Sequence, residues 1–145
     1  MGEKHENTNL ASEFYVLSML YRNGINATLT LGNKKAVDIV IEKDGKVITL
    51  DVKGAQKKSG SFPMENVPKK AKANHYYAFV ILKAMDELPE VYIVPSNKID
   101  IPYPQLRNLK GNKLLYYSPH GRHTVDFNRL RKLRHLYENK WEYFK

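Results

Sequence analysis

The sequence predicts an α/β protein, an α+β mixed sheet flanked by helices. Apolar residues recur at helical spacing near both ends of the chain. Between them lie short runs of β-branched and aromatic residues, several with period-two alternation. The resulting order is helix, strand, hairpin, loop or short helix, strand, strand, helix, which predicts a central mixed sheet. The 145 residues, 42% of them hydrophobic, suit one domain spanning 1–145.

The first helix is expected from about Leu10 to Asn23, capped by Asn7, Thr8 or Asn9 and ended by Gly24. Leu10, Phe14, Leu17 and Tyr21 form its expected buried stripe. Glu13 falls on or beside that stripe; it either reaches solvent at the edge or needs a partner. Asn26–Leu31 alternates as a first strand, and Gly32–Lys35 reads as a polar turn.

Val37 to Lys53 reads as two strands joined at Asp44-Gly45, residue types that tolerate the positive φ of a two-residue turn. That turn pairs Lys43 with Lys46 and, by continuation, sets Asp38 opposite Asp51. Lys53 shares the face of Asp51, because side chains two apart along a strand lie on one side. Facing carboxylates repel, so the pair either splays into water or shares a hard cation and a nearby ammonium. Gly54 to Asn74 reads as irregular, with a short helix at Lys69–Ala73. Tyr76–Leu82 and Val91–Val94 are expected strands and core scaffold, and Asn112–Tyr117 one more short strand.

The tail from about 125 to 144 is expected as one basic helix. Its apolar stripe is Phe127, Leu130, Leu133, Tyr137, Trp141 and Phe144, with Arg129, Arg131, Lys132 and Arg134 on the remaining faces.

The net charge of +9 is uneven. Residues 1–50 carry six basic and six acidic side chains, residues 51–106 eight and six, and residues 107–145 ten and three. A polyanion is the partner this implies, and nucleic acid the commonest polyanion. Lys57, Lys58, Arg129, Arg131, Lys132 and Arg134 are the candidate contacts. The other reading of these charges is a solvated basic surface. The chain has no cysteine, so it forms no disulfide or thiolate metal site, which is compatible with a cytoplasmic setting. It has no apolar run long enough to span a membrane, and its first residues lack the apolar stretch of a signal peptide. No phosphate-binding glycine motif or H-E-x-x-H is present.

Glu13 in the first helix, Val37-Asp38 opening one strand, and Asp51-Val52-Lys53 closing the next, followed by Gly54-Ala55-Gln56, together resemble the PD-(D/E)XK nuclease superfamily. Within it the chain looks like archaeal Holliday-junction resolvases and group I intron-associated endonucleases, over roughly residues 7–97. Val37 stands where that pattern has proline, and the second acid is aspartate. The resemblance implies a restriction-endonuclease-like core and a Mg²⁺- or Mn²⁺-dependent endonuclease that hydrolyses DNA, branched or duplex. It implies that Asp38, Asp51 and the Val52 carbonyl hold the metal, that Glu13 completes or orients that shell, that Lys53 is the catalytic lysine and that Gln56 orients the site. It also implies a possible homodimer. The alternative is a non-catalytic nucleic-acid-binding domain on the same fold.

Overall fold

The computed structural model describes residues 2–30, 37–65 and 72–145, with side chains from residue 6 onward. A helix, α1 (Gly2–Arg22), leads into β1 (Ala27–Leu29), β2 (Ile39–Lys43) and the long β3 (Lys46–Gln56). A 3-10 turn, Lys57–Ser59, leads to β4 (Ser61–Met64). Then come β5 (His75–Leu82), β6 (Glu90–Pro95), β7 (Leu115–Tyr117), β8 (His123–Asp126), α2 (Phe127–Lys132), α3 (Arg134–Tyr137) and a closing 3-10 turn, Trp141–Phe144.

The main sheet has the order β1-β2-β3-β5-β6. Every pairing in it is antiparallel except β3 with β5, so the sheet is mixed, as the sequence predicts. A second sheet has the order β4-β8-β7. The β2–β3 hairpin keeps the expected register: Lys43 pairs with Lys46 and Ile39 with Leu50. Asp44 and Gly45 take φ of 50° and 77°, the left-handed conformations that a two-residue hairpin turn requires.

β3 is the central strand, and it separates two cores. On one face Leu50 and Val52 pack with Val16 and Leu20 of α1. On the other, Ala55 packs with Phe62, Met64, Phe79 and the C-terminal residues Leu130, Leu133 and Tyr137. Each fully buried aliphatic side chain contributes about 1.5–3 kcal/mol relative to exposure.

α1 begins well before Leu10, so Asn7, Thr8 and Asn9 lie inside the helix instead of capping it. It is also rotated from the expected stripe. Leu10, Phe14 and Tyr21 are exposed, whereas Ser12, Glu13, Val16 and Leu20 face the sheet. The cause is a close approach at Gly54. A Cβ there would lie 2.2 Å from Ser12 Oγ and 2.8 Å from Ser12 Cβ, so glycine admits the serine face of the helix. Ser12 meets the cost of burial by donating to the Thr8 carbonyl at 2.7 Å.

The stretch after Gly54 is more regular than the sequence suggests. β3 runs on to Gln56, and β4 is a strand of the second sheet. The expected turn at Gly32–Lys35 and most of the expected helix at Lys69–Ala73 lie outside the described residues; Lys72 and Ala73 are not helical.

The tail buries all six expected apolar residues but is not one helix. Residues 123–126 pair as β8, and the helix breaks at Leu133 and again at Glu138. The second break has a visible cause: Asn139 N donates to the Val91 carbonyl at 2.9 Å and Glu138 bridges Tyr92, drawing the chain onto the edge of β6. Asn139 takes a φ of 52° there.

Candidate active site

The predicted site lies where β2 ends beside β3. The ladder stops at Ile39–Leu50, and Asp38 sits one residue beyond it, at a bend. Its amide donates to the Leu50 carbonyl at 2.9 Å, and its carboxylate accepts from the Val52 amide at 2.7 Å. Asp38 therefore does not continue the flat pairing opposite Asp51. Its side chain takes the place of a strand acceptor and closes on the residue next to Asp51.

In an extended strand the N–H and C=O of one residue point the same way. The Val52 amide points at Asp38, away from β5, so its carbonyl also leaves β3 on the Asp38 side. Two carboxylates and this carbonyl are hard oxygen donors, the chemistry that suits Mg²⁺ or Mn²⁺.

Asp51 is buried. It projects from the face of β3 opposite α1, toward β5, whose Tyr77 is its register partner. His75, also buried, brings Nε2 to 3.4 Å from Asp51 Oδ2. The other imidazole nitrogen, Nδ1, lies 2.7 Å from Thr49 Oγ1, with the direction of donation set by the tautomer. Thr49, His75 and Asp51 therefore form one polar row across the β3–β5 step. The Tyr77 ring stands edge-on to His75 at 5.5 Å. Burial, reinforced by the negative charge of Asp51, pushes the Tyr77 hydroxyl up to about 12. Lys53, half-buried, is on the same face two residues along and forms no ion pair among the described residues.

Other expected residues fall elsewhere. Glu13 is buried on the inner side of α1, the side that packs against Val52 and Gly54. Among the described residues no three His, Cys, Asp or Glu side chains form a group that could hold one ion. Gln56 donates to Thr8 Oγ1 at 3.0 Å, which fastens the end of β3 to α1 and turns it away from Asp51.

The expected basic face of the tail is partly inverted. Arg129 is buried, and its guanidinium donates to the carbonyls of Lys110 and Lys113. Arg131 forms a bidentate pair with Glu90, at 3.1 and 2.9 Å. Lys57, Lys58, Lys132 and Arg134 are exposed. β5, expected to be scaffold alone, supplies His75 and Tyr77. The hint in the sequence is a histidine opening an otherwise apolar strand, but its parallel register with β3 has no local signature.

No family model matches the chain, and no curated protein matches it in sequence. Eight solved chains match by structure. Among them is a bacterial homing endonuclease, I-Ssp6803I, with 16% identity and a TM-score of 0.42. The match covers 62% of this chain and 64% of that one, so the chain spans less than two thirds of that neighbour. At that distance the likeness decides nothing about chemistry, which rests on the residues above. No described helix is long and apolar enough to cross a membrane.

Proposed function

We propose that the protein is a metal-dependent phosphodiesterase acting on DNA, an endonuclease with its site at the end of the β2–β3 hairpin. The observation that carries this reading is the closure of the Asp38 carboxylate on the Val52 amide, next to buried Asp51, with Lys53 on the Asp51 face. Asp38, Asp51 and the Val52 carbonyl would hold Mg²⁺ or Mn²⁺. Such an ion, when bound, polarises a phosphate and makes its water more acidic. Lys53 stabilises the negative charge that gathers on the phosphoryl oxygens. His75 Nε2 borders the Asp51 carboxylate at 3.4 Å from the side facing β5, with no hydrogen bond of its own among the described residues.

Incubation with plasmid, linear duplex, four-way junction and single-stranded DNA, with Mg²⁺ or Mn²⁺ against a chelator, tests the reading. Cleavage that requires the metal and falls more than about 100-fold in Asp51→Asn and Lys53→Ala is the expected result. Absence of cleavage on every substrate, or cleavage that survives Asp51→Asn, overturns it. Salt-sensitive DNA binding without cleavage would leave a binding domain in its place.

A further inference from the structure

The cations of the tail helices are partly spent on the fold itself, which leaves another basic stretch to account for. Residues 101–125 contain four Lys or Arg, two His and no Asp or Glu. Lys113 is engaged with Asp100 at 3.3 Å, whereas Arg107, Lys110 and Arg122 are exposed and form no ion pair among the described residues. Arg129 lies beneath this segment. By drawing the carbonyls of Lys110 and Lys113 inward, it fixes the backbone of that loop while the Lys110 side chain stays in solvent.

The segment also contains an aromatic side chain open to solvent. Tyr117 is 49% exposed and braced by His123, whose ring stands perpendicular to it at 4.1 Å. Among described residues, it is the one large hydrophobic side chain exposed in this segment. Nothing aliphatic is on offer to a lipid surface, which an interfacial membrane binder would need. An exposed aromatic ring in a segment rich in exposed cations is instead the pattern that takes unpaired nucleotides.

The placement suits the site. The Phe62 ring is 5.1 Å from that of Phe79, which pairs with Lys53 on β3. β4 therefore packs beside the β3–β5 step at the level of Lys53 after the 57–60 turn. Its far end, Met64, pairs with His123, which pairs in turn with Tyr117. The second sheet thus links Phe62 of β4, which packs against the register partner of Lys53, to Tyr117 through His123.

We propose that segment 101–125 is a nucleic-acid-binding surface, in which Tyr117 stacks an unpaired base and Arg107, Lys110 and Arg122 hold phosphates. The choice of nucleic acid as the polyanion rests on the nuclease reading, and it narrows the substrate to DNA with single-stranded character near the cut.

The test measures binding of a fluorescent 20-nucleotide single strand and of its duplex, in chelator, over a salt series, with melting temperature checked for each variant. The triple variant Arg107→Ala/Lys110→Ala/Arg122→Ala should bind the single strand at least about tenfold more weakly, with a log–log salt slope lower by about two. Tyr117→Ala should weaken single-strand binding about tenfold and duplex binding much less, while Tyr117→Phe retains both. Lys43→Ala/Lys46→Ala, at the other hairpin tip, should bind as wild type does. Unchanged affinity and slope in the triple variant overturns the proposal, as does binding to anionic vesicles in preference to oligonucleotides. Equal losses on single strand and duplex in Tyr117→Ala overturn the stacking assignment. Cleavage by wild type with binding untouched in the variants sinks this surface alone. Variant-sensitive binding without any cleavage sinks the nuclease reading and leaves the surface standing.

Discussion

The carboxylate of Asp38 accepts a hydrogen bond from the amide of Val52 at 2.7 Å, just beyond the last β2–β3 pair, Ile39–Leu50. One side chain thus completes the sheet and contributes to the proposed chemistry, and substitutions separate the two roles. Asp38→Asn keeps an oxygen acceptor for Val52 and should shift stability by less than about 1 kcal/mol while abolishing metal-dependent cleavage. Asp38→Ala leaves the amide without an acceptor and should cost about 1–3 kcal/mol as well. Denaturant melts beside cleavage assays distinguish them.

The Tyr77 hydroxyl is buried with no hydrogen-bond partner among the described residues. Removing it should relieve an unmet polar group, so Tyr77→Phe is expected to match or exceed wild-type stability by up to about 1 kcal/mol. Thermal unfolding checks this. A drop in stability would mean that the hydroxyl is satisfied in solution.

Gly54 predicts the opposite sign. An alanine there collides with Ser12, so Gly54→Ala should destabilise by about 1–3 kcal/mol. Ser12→Gly in the same chain removes both nearest atoms and should recover part of the loss. Equilibrium denaturation of the single and double variants measures that coupling.

Glu90 predicts an acid-sensitive limb. Burial alone would raise its carboxyl, but hydrogen bonds from Arg131, Tyr92 and Lys83 outweigh burial and hold it down at about 2, against an ordinary 4.5. A depressed carboxylate contributes stability above about pH 4.5 and loses it as pH falls through 2. Glu90→Gln should therefore cost about 1–3 kcal/mol at pH 7, with the gap to wild type closing toward pH 2. Denaturant titrations across that range show whether the two curves converge.

The parts of this architecture that were legible in the sequence are those fixed by neighbours. Asp44-Gly45 sets the hairpin register, and period-two arithmetic carries it to Ile39–Leu50. It fails at Asp38, because the Asp38 amide bonds Leu50 and bends the chain off the ladder. The helical stripe failed for another reason. Between Leu10 and Tyr21 apolar residues occupy nearly every side of α1, so periodicity leaves its rotation open until Ser12 meets Gly54. His75 and Tyr77 carry no local signal of a site, because a parallel pairing with β3 is set by tertiary structure. Arg129 reads as a surface cation until the carbonyls of Lys110 and Lys113, 19 and 16 residues away, are folded over it.

The β3–β5 step has a consequence in time. β2 and β3 meet through a two-residue turn and can pair within microseconds. β5 reaches β3 only after about twenty residues of intervening chain have been looped, a slower closure. A half-folded chain can thus bring Asp38 up to Val52 while His75 is still far from Asp51. By this ordering the polar row across that step is expected to close after the hairpin has formed.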